Sequence, residues 1–280
     1  MCDEATFALS RRHLGQLGAA AALAACGAEG SAASGTKLAG RTVTISTPDG
    51  TADAFFVFPA EGRHPAVVLW PDIAGLRDAN RVMARRLAGE GYAVLVVNQY
   101  YRSARAPVLQ SFAEWRTPEG QARLKPMIAA ITPDGTERDA VAVVRWLDGQ
   151  TEVDTARGIG SSGYCMGGPF AVRTAHAVPG RVKAAASLHG AALVTDRPDS
   201  PHRLLAATGA SYLFAIARND DARAPTDKAV LKEAAASAGR PAEIEVYQAD
   251  HGWTVPDSPV YDAAEADRAF ARILALFRTL

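Results

Sequence analysis

The chain is poor in cysteine and lacks an excess of either charge. Its three cysteines, at positions 2, 26 and 165, cannot form an even disulfide framework. Lys and Arg together number 30, as do Asp and Glu, so the formal net charge is zero. Because phosphate binding needs concentrated positive charge, this balance argues against a nucleic-acid partner. No cluster of His and Cys has metal-ligand spacing, so neither a metal nor another cofactor is expected.

What the chain does have is enough apolar sequence for a sizeable core. Of its 280 residues, 48% are hydrophobic, which suits one large α/β domain or two small ones. The first 35 residues differ from the rest and are typical of an export signal. Arg11 and Arg12, preceded by Ser10, resemble a twin-arginine signal. The alanine-rich run that follows is too short to cross a bilayer as an ordinary helix. The alternative is an alanine-rich helix at an irregular N-terminus.

A second signal lies at the end of this apolar run. Residues 23–26, Leu-Ala-Ala-Cys, resemble a lipobox, in which the signal is cut before Cys26 and the thiol is acylated. The small polar residues that follow cannot bury enough apolar surface to fold, so they predict a flexible tether. We therefore expect a signal over 1–26, a tether over 27–38 and one domain over 39–280. The protein is expected to be exported, as a periplasmic or cell-envelope lipoprotein with a possible lipid anchor to the membrane.

The remaining sequence alternates between strands and helices. Two segments around a turn predict an antiparallel edge hairpin, and short continuous apolar runs predict parallel strands buried on both faces. The hairpin covers 42–46 and 54–58, the runs cover 66–70, 93–97, 158–160, 184–188, 212–216 and 244–246, and helices are expected over 78–90, 137–148 and 263–280. The pattern favours a mostly parallel sheet with helices on both faces. Residues 103–135, with four prolines, are expected to form an irregular insert that shapes the pocket.

The strongest motif is the segment Gly-Tyr-Cys-Met-Gly-Gly at 163–168, directly after an apolar strand. This is the pattern of a nucleophile on a sharp strand-to-helix turn, where small neighbours allow a close backbone approach. The helix that begins at Met166 points amide N–H groups at Cys165 and favours a thiolate. The alternative is a glycine-rich turn that carries a buried cysteine.

The residues after Cys165 supply a histidine and an acid in the order that such a fold requires. His251 follows a strand and precedes the last helix, whereas His189 ends an earlier strand and is a candidate to line the pocket. Asp220 and Asp221 both follow the strand at 214–217. One of them should orient the imidazole and stabilise its positive charge, but chemistry alone does not separate the two.

With these residues in place, the chain resembles the dienelactone hydrolase family from about residue 42 to its C-terminus. The elbow at 163–168, the histidine loop at 250–253 and the segments at 71–76 and 98–102 carry the resemblance. It implies an α/β-hydrolase fold and a triad of Cys165, Asp221 and His251. Asp221 is selected because the family has Asp-x-x-x-Pro, and Pro225 stands four residues later. The resemblance also implies an oxyanion hole formed by the backbone N–H groups of Ile73 and Met166.

The resemblance implies further contacts, with two departures. Asp72 stands where founding members carry a Glu that helps to generate the thiolate. Arg102 and Tyr100 lie in the segment whose arginine meets the substrate carboxylate, so we expect Asp72, Tyr100 and Arg102 to bind substrate or activate the thiol. Val255 occupies a position where founding members carry a second arginine. Anion binding should therefore be reduced to Arg102, unless Arg77 or Arg105 replaces the missing cation.

These features predict a cofactor-independent hydrolase that cleaves a small ester or lactone by acyl transfer to Cys165. One alternative is an envelope lipoprotein that binds a ligand on the same fold without catalysis, since fold does not fix function. Another is a thiol-dependent peptidase. A triad of the right residue types in the right order favours the hydrolase.

Changing Arg11 and Arg12 together to lysine should leave the precursor in the cytoplasm, because the twin-arginine address is read by a receptor. Cys26→Ser should block acylation and release the exported protein from membranes. Fractionation of cells that express each variant and the parent chain measures both effects. A Cys26→Ser protein that stays with the membranes would show that Cys26 is not the anchor.

Overall fold

An eight-stranded sheet runs through residues 36–280, the part of the chain that the computed structural model describes. The predicted signal, most of the predicted tether and Cys26 lie outside these residues. The strands are β1 (Leu38–Thr47), β2 (Gly50–Pro59), β3 (Ala66–Trp70), β4 (Ala93–Val97), β5 (Ile159–Tyr164), β6 (Val182–Leu188), β7 (Ser211–Ala217) and β8 (Ala242–Tyr247). Their order is β1-β2-β4-β3-β5-β6-β7-β8. Strands β3 to β8 run parallel, and β2 is antiparallel to β1 and β4.

Helices cover both faces of this sheet. They are α1 (Asp78–Gly89), α2 (Phe112–Trp115), α3 (Pro118–Ala129), α4 (Pro133–Asp148), α5 (Gly167–Ala177), α6 (Pro201–Leu204), α7 (Arg218–Arg223), α8 (Asp227–Ser237) and α9 (Ala263–Phe277). Val68 and Trp70 of β3 pack in the core that holds α4, α5 and α8. Val67 and Leu69 pack in the core that holds α1 and α9. Successive side chains of a strand point to opposite faces, so an unbroken apolar run fills both cores. The predicted mostly parallel α/β architecture is confirmed.

The predicted strands are all present, and most of them extend one to four residues beyond the predicted bounds. β1 begins at Leu38, one residue inside the predicted tether. β5 extends to Tyr164, whereas the apolar pattern indicated only 158–160. The difference arises because Ser161 and Ser162, fully buried in β5, break the apolar run on which the prediction depended.

The segment at 103–135 is not irregular, and that prediction is wrong. It contains α2, α3 and the first turn of α4. The side chains of Thr117 and Thr132 accept hydrogen bonds from the N–H groups of Gly120 and Gly135, each at 3.0 Å, and a proline follows each threonine. A capping hydroxyl followed by proline starts a helix, because proline has no N–H to leave unsatisfied. Two of the four prolines that led to the prediction of an irregular segment, Pro118 and Pro133, therefore begin helices.

The topology brings the candidate site residues to one edge of the sheet. The chain passes from β3 to β4 on one side and returns to β5 on the other, so the loops after β3 and β5 are neighbours. Ligands of open α/β sheets bind at the carboxyl ends of the strands beside such a reversal. Cys165 follows β5, and His251 follows β8. Within residues 36–280, no helix is long and apolar enough to cross a membrane.

Candidate active site

Cys165 lies on a sharp turn between β5 and α5. Its φ is 54°, in the left-handed region that a residue with a Cβ rarely adopts. The turn is close because glycines flank it. A Cβ on Gly163 would collide with the carbonyl oxygen of Gly167, and a Cβ on Gly167 would collide with the carbonyl oxygen of Trp70. The glycines of the motif therefore allow the approach of α5 to the ends of β3 and β5, and the thiol stands at the N-terminus of α5.

His251 contacts both Cys165 and an aspartate. Its Nδ1 lies 2.5 Å from Oδ2 of Asp220, and the Cys165 side chain is close enough to raise the pKa of the imidazole. With Nδ1 occupied, Nε2 is the ring nitrogen left to interact with the thiol. Asn219 Oδ1 also accepts a hydrogen bond of 2.9 Å from the His251 backbone N–H. Two successive residues at the start of α7 thus hold the histidine loop.

The acid in contact with the imidazole is Asp220, which corrects the expectation of Asp221. The carboxylate of Asp221 instead accepts hydrogen bonds of 2.8 and 2.7 Å from Nζ of Lys228 on α8. The physical reason is that residues 218–223 form a helix, in which consecutive side chains point about 100° apart. Only one of the two aspartates can therefore face His251. Lys228, seven residues after Asp221, is the one feature of the sequence that could have indicated an ion pair for Asp221.

The protonation of His251 follows from these contacts. Burial opposes its charged form, but its interactions with Asp220 and Cys165 raise its pKa to about 10. At neutral pH the site therefore carries an imidazolium beside Cys165. Such a cation stabilises a thiolate and can donate a proton to a leaving group.

A second histidine lies directly behind this pair. His189, which is 1% exposed, has φ 39°, and its ring centroid is 4.9 Å from that of His251. Its Nδ1 accepts a hydrogen bond of 3.1 Å from the Cys165 backbone N–H, and Nε2 lies 2.8 Å from Oγ1 of Thr254. Burial and the neighbouring His251 lower the pKa of His189 well below its usual value. His189 is thus a neutral support of the elbow, beneath the site.

The carboxylate of Asp72 lies in a buried ion pair. Each of its oxygens accepts a hydrogen bond of 3.0 Å from Arg77, and Oδ1 also accepts one of 2.8 Å from the Ala74 N–H. Burial raises the pKa of Asp72 against the opposing attraction of Arg77. Arg77 also binds Asp257, at 2.6 Å. The contacts of Asp72 are with Arg77 and its own loop, so direct activation of the thiol by Asp72 is not supported.

Arg102 and Tyr100 also differ from expectation, because both are engaged within the protein. The guanidinium of Arg102 forms ion pairs with Asp49 at 2.6 Å and with Asp139 at 2.7 Å, which neutralise it away from Cys165. The hydroxyl of Tyr100, a fully buried residue, donates a hydrogen bond of 2.7 Å to the carbonyl oxygen of Ile73. Neither side chain therefore offers a free group to a substrate carboxylate.

The two backbone amides that the resemblance assigned to the oxyanion hole have no acceptors in the described part of the chain. In residues 36–280 nothing accepts a hydrogen bond from the N–H of Ile73 or of Met166. Met166 opens the first turn of α5, where amides have no partner within the helix. Two such N–H groups next to a nucleophile are the arrangement that binds a developing oxyanion.

Two cavities adjoin this centre and share Ala192. One, of about 230 Å³, is lined by His251, Asp220 and Leu193. The other, of about 260 Å³, is lined by apolar side chains that include Met166, Phe170, Ile128 and Ile131. In the described part of the chain, no three side chains of His, Cys, Asp or Glu converge to hold a metal ion.

Comparison with known proteins identifies the family of the chain. The model of the dienelactone hydrolase family matches residues 52–280. The chain belongs to that family. The chain is thus a member of a hydrolase family, as the resemblance implied, and a small-molecule substrate is expected of it.

Similar proteins carry related names. A "putative carboxymethylenebutenolidase" of Methylorubrum extorquens is 28% identical over 242 residues, which cover 84% of this chain and 79% of that protein. One of Escherichia coli is 26% identical over 224 residues, or 78% of each chain. Among solved structures, a "putative dienelactone hydrolase" of Klebsiella pneumoniae has a TM-score of 0.74 at 21% identity, covering 87% of this chain and all of the other. A dienelactone hydrolase-like promiscuous phosphotriesterase from metagenomic libraries has a TM-score of 0.69 at 22% identity, covering 86% and 98%. At these identities the structures show the fold.

Asp220→Asn should lower the kcat for ester hydrolysis by about four orders of magnitude, because an amide favours the wrong imidazole tautomer. Asp221→Asn is the matched control. It removes a charge from the adjacent position, where the carboxylate binds Lys228, and should leave kcat within about tenfold of the parent. Steady-state kinetics on an activated ester measure both. A larger loss in Asp221→Asn would show that the contact of Asp220 with His251 is not the catalytic one.

The pH dependence of kcat/KM should follow His251. Its imidazolium is present below its pKa of about 10, so activity that needs this proton should persist to alkaline pH and fall as pH rises through that value. Asp220→Asn removes a contact that favours the charged form, so the alkaline limb should move to lower pH. Asp221→Asn should leave it in place. Rate profiles corrected for spontaneous hydrolysis check this, and a limb that Asp220→Asn does not move would contradict it.

Proposed function

We propose that the chain hydrolyses small neutral carboxylic esters or lactones through a thioester on Cys165. The observation that carries the proposal is the hydrogen bond between His251 and Asp220, which raises the pKa of His251 beside Cys165 on its strained elbow. A nucleophile, a base in contact with it and an acid that orients the base are the parts of a catalytic triad.

The reaction starts with attack of the Cys165 thiolate on the substrate carbonyl carbon. The C–S bond forms, and the carbonyl π electrons move to oxygen, where the N–H groups of Ile73 and Met166 stabilise the charge. The intermediate collapses, the C–O bond to the alcohol breaks, and Nε2 of His251 gives its proton to the leaving alkoxide. His251 then takes a proton from water, which attacks the thioester, releases the acid and restores the thiolate.

The position of His251 indicates which part of the substrate lies in each of the two cavities. Since the leaving alkoxide receives its proton from His251, the alcohol part belongs in the cavity that His251 and Asp220 line. The acyl part then faces the Met166 side, where Phe170, Ile128 and Ile131 offer an apolar surface. This orientation favours short apolar acyl groups, and a lactone would place its ring across the junction at Ala192.

The charges around the cavities favour neutral substrates. Of the cations that line them, Lys228 binds Asp221, Arg173 binds Glu137 and Asp199, Arg197 binds Asp199, and Arg223 lies 3.6 Å from Asp220. Val255 is fully buried, where it offers no contact to substrate. A substrate carboxylate would have to displace a carboxylate of the protein to gain a charge-assisted bond.

The backbone strain at Cys165 argues against a protein that only binds a ligand. A non-glycine residue in a sparsely populated conformation costs about 1–3 kcal/mol, and such residues cluster at catalytic sites. Ligand binding alone does not require that a thiol contact an imidazolium on such a turn. We further propose, from the N-terminal sequence, that the enzyme acts outside the cytoplasm.

Cys165→Ala should abolish turnover of short-chain esters, with a loss of several orders of magnitude, because the nucleophile is gone. The change removes one sulfur atom from a half-buried position, so the thermal unfolding midpoint should stay close to that of the parent. Mass spectrometry should detect an acyl adduct on Cys165 of the parent during turnover. Activity of Cys165→Ala within tenfold of the parent would refute the assignment.

Neutral esters should be hydrolysed at least as well as matched esters that carry a carboxylate. The measurement is kcat/KM for such a pair of substrates, in the parent and in Arg102→Gln. Because Arg102 binds Asp49 and Asp139, its loss should change stability but leave the ratio of the two kcat/KM values within about twofold. A parent that favours the carboxylate a hundredfold, or a ratio that falls in Arg102→Gln, would show that Arg102 does meet the substrate.

A further inference from the structure

We propose that Gln99 and Tyr100 are positioning residues that orient the Ile73 N–H as an oxyanion donor. This inference rests on the proposed function, because it assigns roles to two residues that support one of its donors. Both residues follow β4, the neighbour of β3 in the sheet, and are nearly inaccessible to solvent, with exposures of 3% and 1%. They reach across to the loop that follows β3.

Gln99 holds the peptide group that carries the Ile73 N–H. Its Nε2 donates a hydrogen bond of 2.8 Å to the carbonyl oxygen of Asp72, and the Gly75 N–H donates another of 3.0 Å to the same oxygen. The Asp72 carbonyl and the Ile73 N–H belong to one planar trans peptide, in which they point in opposite directions. Whatever fixes the carbonyl therefore fixes the direction of the N–H.

Tyr100 holds the next peptide group. Its hydroxyl donates to the carbonyl oxygen of Ile73 at 2.7 Å, and the N–H of that same peptide, from Ala74, donates to Oδ1 of Asp72 at 2.8 Å. The hydroxyl also lies 3.9 Å from the sulfur of Met166, which supplies the other proposed donor. Rotation of the Ile73 N–H would have to break bonds in both peptides.

The loop after β3 thus has hydrogen bonds at polar groups on either side of the Ile73 N–H. The carbonyl oxygens of Asp72 and Ile73 and the N–H of Ala74 each have a partner, whereas in the described part of the chain the Ile73 N–H has none. A loop held at these three groups presents that N–H in advance, so little reorganisation is needed when charge develops. Gln99 also has an amide oxygen without a donor among residues 36–280, so its contribution is the N–H that it gives.

The test compares two reactions of Cys165. Ester hydrolysis builds an oxyanion, whereas alkylation of the thiolate by iodoacetamide displaces iodide at a carbon and builds none. Gln99→Met and Tyr100→Phe should lower kcat on a p-nitrophenyl ester by about tenfold to a hundredfold, with KM little changed, because small misplacements of catalytic groups have effects of that size. The alkylation rate of both variants should stay within about twofold of the parent.

Tyr101→Phe is the matched control. It removes the same atom from the next residue, whose hydroxyl bonds Asp139 and Thr47 instead of the loop, and should keep kcat within about threefold. If Gln99→Met does not fold, Tyr100→Phe carries the test alone. An unchanged kcat, or alkylation that falls as much as hydrolysis, would overturn the assignment. Failure of the proposed function is distinct, since Cys165→Ala would then keep its esterase activity.

Discussion

The backbone of Cys165 is held in a left-handed conformation, and the arrangement of the site depends on it. At φ 54° the residue is strained, and the packing of Gly163 against Gly167, and of Gly167 against Trp70, maintains that strain. The thiol therefore stands above the carboxyl edge of the sheet, where the loops after β3, β7 and β8 meet. Because the strands are parallel, these loops converge at that edge, and the elbow brings the thiol to the same place.

Ion pairs within the protein determine what charge the site can offer. Arg77 is bound by Asp72 and Asp257, and Lys228 by Asp221. What remains for the proposed reaction is the imidazolium of His251 and the N–H groups of Ile73 and Met166. The imidazolium and the amides stabilise charge that develops at the reacting atoms. They do not bind a carboxylate elsewhere on the substrate. Selection should therefore depend on the shape of the cavities more than on the charge of the substrate.

Most of the fold could be predicted from the sequence, because parallel strands buried on both faces leave unbroken apolar runs. Spacing and chain order also predicted that Cys165 and His251 come together. The acid was not, since choosing between adjacent aspartates requires the phase of α7, which six residues without an apolar stripe do not reveal. The engagement of Arg102 was missed for another reason. Its partners Asp49 and Asp139 are 53 and 37 residues away, a contact that only the folded chain brings about.

The two histidines of the site show how contacts set opposite protonation in neighbouring rings. His251 has a carboxylate and a thiol as partners, and its proton is retained to a pKa of about 10. His189, only 4.9 Å away, has a backbone N–H and a threonine hydroxyl, and burial keeps it neutral. A protonated His189 could no longer accept from the Cys165 N–H, which would keep only its bond to the Leu188 carbonyl, and its charge would lower the pKa of His251. Because His189 is neutral, it does not oppose the protonation of His251, and one imidazolium lies beside the thiol of Cys165.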